Sequence, residues 1–338
     1  MFNNFFKNKF KINNFNIGSK KTYIIAEAGS NHNGDFNQAI KLIDAAKFAG
    51  ANAIKFQLFR SEYFVKKNSK EHKFLKNYEF KREWLYKLNK YCKKRNIHFL
   101  ASPFDNEACE LLVKNKVGAI KIASTETFNL KLINFISKKK IPLIISTGIS
   151  NYIDILEALE IVKKNNNNEV ALLQCSSVYP TQDFQVNLNV IDDYKKKFEF
   201  PIGFSDHTLG ILASVAAVVK GANIIEKHFT LSRDLEGPDH SFAIEPNELN
   251  EMIKQIRSIE KMLGNLNKYP LKEELDICRK KGLYAKKNIK KNQIIKLEYI
   301  ENKNPQKGIE ARFLKLIDGL KSNKNLYKGK PILWKDIK

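Results

Sequence analysis

Four cysteines are all that the 338 residues contain, and Cys92, Cys109, Cys175 and Cys278 are scattered without a metal-ligand spacing. That scarcity argues against a disulfide scaffold and points to reduced thiols in a cytoplasmic protein. Long apolar runs are missing as well: none approaches the roughly 20 residues that a membrane span needs. The first twenty residues, rich in Asn, Lys and Phe, hold neither a continuous apolar core nor a small-residue cleavage site, so no signal peptide is expected. Acidic residues are outnumbered, 36 Asp and Glu against 59 Lys and Arg, for a formal net charge of +23. The lysines nevertheless form no concentrated patch; short runs such as 138–140 and 195–197 are separated by Asn-rich sequence, including 165–168. Such a general bias argues against a nucleic-acid partner, while a basic field still steers a small anionic substrate toward a site.

What the chain does have is a repeat. Eight short apolar runs, at 23–28, 53–57, 98–104, 119–124, 142–148, 170–177, 201–207 and 223–230, each end in polar, chemically capable residues. Stretches able to hold amphipathic helices separate them, as in Ala39-Ile40, Leu42-Ile43 and Ala46, or Leu212, Val215-Ala216 and Val219. Eight strand-then-helix units read as an α/β fold, a (β/α)8 TIM barrel, whose chemistry sits where the strands end. The expected organisation is a lead-in over 1–22, a barrel over 23–264, a patternless polar linker over 265–276 and a small β-rich domain over 277–338. Gly50, Gly118 and Gly221 follow helical stretches and are expected at left-handed helix ends. The long charged segment 61–81 reads as a lid or a substrate wall.

The strand ends supply the candidate site. Lys55 and Gln57 share one strand face; Lys55 is either a ligand-binding cation or a snorkelling strand-end lysine. Lys121, Ser124 and Glu126 add a second cation, a hydroxyl and a carboxylate. Two lysines with Ser102, Ser146 and Ser205 suit a ligand bearing both phosphate and carboxylate. His207 and His228 end the seventh and eighth runs, neighbours in a closed barrel. Two imidazoles there either share one divalent cation, leaving positions for substrate and water, or hydrogen-bond within the rim. Asp206 and Glu226 stand near them as orienters. Glu27 ends the first run ahead of a small-residue loop, and Asp239 lies in the turn Gly237-Pro238-Asp239-His240, as ligand or as helix cap.

Taken in order, these segments resemble the sialic acid synthase family. The matching motifs are Ala26-Glu27-Ala28-Gly29-Ser30-Asn31-His32-Asn33-Gly34, Lys55-Phe56-Gln57, Ser102-Pro103-Phe104, Lys121-Ile122-Ala123-Ser124-Thr125-Glu126 and Ser146-Thr147-Gly148. They continue through Cys175-Ser176-Ser177-Val178-Tyr179-Pro180, Gly203-Phe204-Ser205-Asp206-His207-Thr208, Glu226-Lys227-His228-Phe229-Thr230 and Gly237-Pro238-Asp239-His240. In the tail, Tyr284-Ala285-Lys286-Lys287-Asn288-Ile289 resembles the family's antifreeze-like SAF (β-clip) domain. The resemblance implies condensation of phosphoenolpyruvate with an acetamido sugar aldehyde and water, giving a nonulosonic acid and phosphate. It implies that Lys55, Ser102, Lys121, Ser124, Ser146, Ser177 and Ser205 hold phosphoenolpyruvate, and that Glu27, Gln57, Tyr179 and Asp239 contact the sugar. It implies His207 and His228 as ligands of Mn²⁺ or Mg²⁺, with Glu126 managing protons and Glu226 lining the site. It also implies a homodimer in which each tail domain closes the partner's barrel.

The tail departs from the family's Lys-Arg-Pro-Gly-x-Gly: this chain reads Lys303-Asn304-Pro305-Gln306-Lys307-Gly308, with Asn304 where a sugar-contacting Arg is expected. Arg312 and Lys307 are the nearby cations. The loops Asn31-His32-Asn33-Gly34 and Gly237–His240 lean toward N-acetylmannosamine or its 6-deoxy diacetamido analogue, the neuraminic and legionaminic branches. Lys121–Ser124 and Tyr179-Pro180-Thr181 lean toward the pseudaminic branch. Two rivals stand beside the synthase: a metal-independent Schiff-base aldolase using Lys121 or Lys55, and a non-catalytic sugar-binding protein.

Overall fold

Strands that are apolar on both faces need cover on both sides, which a parallel sheet ringed by helices provides. The computed structural model describes residues 4–277 and 280–338, so Cys278 lies outside the described residues. A hairpin, β1 (Phe10–Ile12) and β2 (Phe15–Ile17), precedes eight parallel strands: β3 (Tyr23–Gly29), β4 (Ala53–Leu58), β5 (His98–Pro103), β6 (Ile120–Ile122), β7 (Leu143–Ser146), β8 (Val170–Cys175), β9 (Ile202–Asp206) and β10 (Ile224–His228). Their order, β5-β4-β3-β10-β9-β8-β7-β6, joins the first barrel strand to the last, and β5 lies against β6, which closes the barrel. The helices along this unit are α1 (Phe36–Ala49), α2 (Lys70–Lys76), α3 (Trp84–Arg95), α4 (Asn106–Lys114), α5 (Leu130–Ser137), α6 (Tyr152–Lys164), α7 (Asn189–Lys197), α8 (Leu212–Val219) and α9 (Pro246–Met262). None among the described residues is long and apolar enough to cross a membrane.

Two apolar layers hold the barrel. One lies between strands and helices, with Ile24, Ile54, Phe56 and Phe99 against Leu42, Leu88 and Ile133. The other fills the barrel's N-terminal end: Tyr23, Ile25, Ala53, Leu100, Ala119, Ile144, Leu173 and Ile224 pack against Phe10, Ile12 and Ile17 of the hairpin. The strands' C-terminal ends are thereby left for polar side chains.

One local expectation needs correction. Gly50 and Gly221 do take left-handed backbone, at φ +96° and +90°, but at the end of α4 that role falls to Lys116 at φ +54°. Gly118 answers a different need, since a Cβ there would stand 2.6 Å from the Asn13 side chain of the hairpin turn. Segment 61–81 holds α2 and a 3₁₀ turn at Ser61–Tyr63, pinned by the Glu79 carboxylate accepting from the Ser61 amide and hydroxyl.

The chain divides into Met1–Gly264 and Asn265–Lys338. Within the second unit, part of the expected linker is the short helix α10 (Lys272–Ile277). Its residues 272–275 are all exposed, so no apolar stripe marks it in the sequence. Beyond it β11 (Gly282–Ala285) pairs antiparallel with β12 (Ile300–Lys303), and α11 (Leu314–Ile317) follows. Leu283, Ala285, Ile289, Ile295, Ile309, Ile317 and Ile332 form its core. Arg312 pairs with Glu310 at 2.9 Å and lies over the Phe313 ring.

Candidate active site

Alternation sends residues i and i+2 of a strand to one face. On the barrel's inner face each strand therefore passes from apolar filling to chemistry: Ile25 to Glu27, Ala53 to Lys55 and Gln57, Leu100 to Ser102, Ala119 to Lys121, Ile144 to Ser146, Leu173 to Cys175, and Ile224 to Glu226 and His228. Ser205 and His207 follow on β9 and just past its end.

Four charges meet there. Lys55 Nζ stands 2.8 Å from Glu27 Oε2 and 3.6 Å from Glu226 Oε1, and Lys121 Nζ lies 3.6 Å from that same Glu226 oxygen. Gln57 donates to Glu27 Oε1 at 2.8 Å, Lys55 to Ser102 Oγ at 3.2 Å, and Ser205 to Glu226 Oε1 at 3.3 Å. Glu27, Lys55, Ser102, Lys121, Ser205 and Glu226 are each 5% exposed or less, so the charges answer one another rather than water. A snorkelling lysine is thereby ruled out at Lys55. Burial pushes the Glu27 carboxyl above its usual range, more than Lys55 draws it down. Burial works against Glu226 too, but Lys121, Lys55 and His207 outweigh it and hold that carboxyl low. Burial lowers the Lys121 ammonium, whereas at Lys55 the carboxylates of Glu226 and Glu27 overcome burial and raise it. The cluster thus shifts its two carboxyls in opposite directions, and its two amines likewise.

Hydroxyls flank it. Among the described residues Ser146 Oγ and Ser177 Oγ are buried without a hydrogen-bond partner, and Ser124 Oγ accepts from the Gly148 amide at 3.0 Å. A Cβ at Gly148 would stand 2.1 Å from Ser177 Oγ and 2.8 Å from Ser124 Oγ, so glycine is what lets these hydroxyls converge.

The two imidazoles lie beside the charges, with ring centroids 5.3 Å apart. His207 Nδ1 sits 2.7 Å from the Ser176 carbonyl, which makes Nδ1 the donor, so that the neutral ring offers Nε2 as its acceptor. His228 Nδ1 is buried and, among the described residues, without a hydrogen-bond partner; it stands 3.8 Å from Asp239 Oδ2. Burial first, then His207 and the neighbouring lysines, lower the pKa of the His228 ring well below its ordinary value. Burial opposes charge on His207 as well, but Cys175 and the Ser176 carbonyl raise it. The Tyr179 ring lies 4.1 Å from that of His207, and Phe242 lies 5.1 Å from that of His228. Asp239 accepts from Ser30 at 3.3 Å, and its Oδ2 would stand 2.9 Å from a Cβ on Gly29, whose φ is +51°. Among the described residues no group of three or more His, Cys, Asp and Glu could hold a metal ion. His228 Nδ1, unpartnered among the described residues, and Nε2 of a neutral His207 ring fit a divalent cation that keeps most of its shell for substrate and water.

One candidate stands apart. Glu126, on the 3₁₀ turn Ser124–Glu126, accepts at its carboxylate from Asn129 Nδ2 at 2.9 Å, and among the described residues no hydrogen bond or ion pair joins it to the cluster. One site residue escaped the sequence reading: Cys175, whose Sγ lies 3.8 Å from His207 Nδ1. Burial would raise its thiol, yet His207, Ser124 and Lys121 together lower it. Its place two residues past Leu173 on β8 was the available signal.

Comparison with known proteins accords with this geometry. Residues 42–268 match the NeuB family and residues 280–338 the SAF domain. An N,N'-diacetyllegionaminic acid synthase of Campylobacter jejuni is 40% identical over 311 residues, covering 86% of this chain and 93% of that protein. A pseudaminic acid synthase of C. jejuni is 34% identical, covering 97% of this chain and 100% of that protein. The N-acetylneuraminic acid synthetase of Leptospira borgpetersenii, solved with citrate, superposes with a TM-score of 0.76 at 38% identity, over 79% of this chain and 94% of that one.

Proposed function

The chain belongs to the NeuB family of nonulosonic acid synthases, and from that premise we propose that it joins phosphoenolpyruvate, an open-chain acetamido sugar and water into a nonulosonic acid and phosphate. The observation that carries this reading is the buried Glu27–Lys55–Glu226–Lys121 cluster, ringed by serine hydroxyls and set beside the His207/His228 pair. Lys55 and Lys121 bind the phosphate and carboxylate of phosphoenolpyruvate, with Ser102, Ser124, Ser146, Ser177 and Ser205 donating to them. Glu27, Gln57, Tyr179 and Asp239 orient the sugar, bringing its aldehyde carbon to C3 of phosphoenolpyruvate. The C–C bond forms there, water adds at C2, and the C2–O bond breaks to release phosphate. The aldehyde oxygen gains a proton, and the attacking water gives up both of its own, the second to the departing phosphate as the C2 hydroxyl becomes the keto group; Glu126 manages protons at the oxygens of the reacting carbons from the rim. A divalent cation held by His207 and His228, Mn²⁺ or Mg²⁺, would supply Lewis-acid polarisation of the aldehyde.

The neuraminic and legionaminic sugars are favoured over the pseudaminic one, because two ligand-facing loops agree and the legionaminic relative has the higher identity of the two synthases compared. The protein works as a domain-swapped homodimer in the cytoplasm, where its free thiols Cys92, Cys109 and Cys175 stay reduced. Phosphate release from phosphoenolpyruvate tests the reaction, with N-acetylmannosamine, its 2,4-diacetamido-6-deoxy analogue and the altrose-configured equivalent, each with and without EDTA. EDTA-sensitive turnover with one sugar supports the synthase and names the branch; no turnover with any overturns it. A Schiff-base aldolase is the second reading, favoured by the buried, lowered amine of Lys121. Borohydride trapping with EDTA-resistant turnover would establish it instead.

A further inference from the structure

Lys227 is 1% exposed, among the largest fully buried side chains of the protein, and the proposed chemistry gives it no task. Alternation sends Lys227 and Asp206 to the barrel's outer face, away from Glu226, His228, Ser205 and His207. The parallel register of β9 and β10 sets the two directly opposite one another. Lys227 Nζ stands 3.0 Å from Asp206 Oδ2 and donates to the Thr208 carbonyl at 2.5 Å. The other carboxylate oxygen, Asp206 Oδ1, accepts from the Thr208 amide and hydroxyl, both at 2.8 Å, and Oδ2 also accepts from Ser214 of α8 at 2.6 Å.

The bond that the Thr208 amide donates to the Asp206 carboxylate closes a turn with His207 at its centre. Lys227 grips both the carboxylate and the carbonyl of that turn from the strand that carries His228. A buried ion pair is a weak source of stability compared with apolar residues of the same volume, but it fixes geometry, because each charge tolerates few alternative positions. The imidazoles need such fixing: His207 has the Ser176 carbonyl to hold Nδ1, and among the described residues His228 Nδ1 has no hydrogen-bond partner.

We infer that Asp206 and Lys227 are positioning residues, a cross-strand clamp on the outer face of the barrel that sets His207 and His228 at the separation needed to share one divalent cation. The inference rests on the metal role proposed above for those two histidines. It is tested on the full chain by Mn²⁺ affinity, read from the electron paramagnetic resonance signal of free Mn²⁺ well below the unfolding temperature. Asp206→Asn and Lys227→Met each leave a buried charge unanswered, so the informative variant is the double one, which removes both charges. The double variant is expected to keep a Tm close to wild type while binding Mn²⁺ about 10-fold more weakly, the low end of losses seen when groups supporting metal ligands are removed. Leu42→Ala, in the layer between strands and helices, is expected to lower Tm without moving the Mn²⁺ affinity. Double-variant binding within twofold of wild type, or affinity that merely follows Tm through Leu42→Ala, would overturn the clamp. Wild-type protein that binds no Mn²⁺, or binds it equally after His207→Ala, would instead overturn the metal role of the histidines and remove the clamp's purpose with it.

Discussion

Glu226 faces two ammonium groups and Glu27 one, which is why burial dominates at Glu27 and loses at Glu226. Lys121→Met takes away one of those ammoniums together with half of the proposed anion grip. KM for phosphoenolpyruvate is expected to rise about 100-fold, the scale of a truncated buried charge pair, as read from initial rates of phosphate release. Glu126 stands outside the cluster, so Glu126→Gln is expected to leave that KM within about threefold while kcat falls about 100-fold, the range of general acid–base catalysis. Unchanged kcat would remove Glu126 from the chemistry. A third residue governs stability rather than turnover. His32 is fully buried among Phe56, Phe80 and Trp84, and its Nδ1 accepts from the Gly34 amide at 3.0 Å. Burial lowers its pKa from 6.5 to about 4. The unfolded chain therefore binds the extra proton first as pH falls, so the stabilisation is complete above pH 6.5 and is lost progressively toward pH 4. Urea unfolding at pH 7 and pH 5 is expected to differ by roughly 2 kcal/mol through this residue, and His32→Phe to remove that difference.

Among the elements, β9 is the most tightly confined at one point. A Cβ on Gly203 would stand 2.4 Å from Leu173 Cδ2 on β8 and 2.5 Å from the Ile224 carbonyl on β10. A strand carbonyl cannot move aside as a flexible side chain can, so Gly203→Ala is expected to cost about 2–3 kcal/mol, read as a shift in urea midpoint. Gly148→Ala strikes hydroxyls instead and is expected to fold but lose affinity for phosphoenolpyruvate. The strands themselves were legible because apolar runs that end in polar residues have one natural home, a covered parallel sheet open at its C-terminal edge. α8 shows where reading fails: Leu-Ala-Ser-Val-Ala-Ala-Val-Val is nearly apolar all round, so the stripe of Leu212, Val215, Ala216 and Val219 that spacing suggests is not the face that is buried. The structure buries Ser214, Ala217 and Val218 and leaves Leu212 78% exposed, because Ser214 must reach the Asp206 carboxylate. Lys227 was hidden for a related reason: in a chain with this many lysines, one more carries no signal until the register sets it opposite Asp206. Cys175 reads as a core residue by type, and only its inner-face position separates it from Cys92 and Cys109, whose thiols burial pushes up, that of Cys109 to about 12.

For the whole molecule, the formal charge of +23 is either a compositional habit or a working field. The buried cluster does not decide between them, since Lys55 and Lys121 are matched there by Glu27 and Glu226. The excess is carried by side chains outside the cluster, where salt screens it beyond roughly 10 Å at 0.1 M. A field of that kind raises the rate at which a small anion reaches the barrel mouth and leaves the events after binding untouched. kcat/KM for phosphoenolpyruvate is therefore expected to fall roughly 10-fold between about 10 mM and 0.5 M salt, while kcat stays level. The uncharged acetamido sugar supplies the internal control, because its own kcat/KM at saturating phosphoenolpyruvate gains nothing from the field and should stay flat. A parallel fall for both substrates would point to salt acting on the fold or on subunit association, which sedimentation at micromolar concentration in the same buffers would reveal. No salt dependence for either would assign the lysines to composition alone, and phosphoenolpyruvate would then owe its binding entirely to the groups it meets inside the barrel.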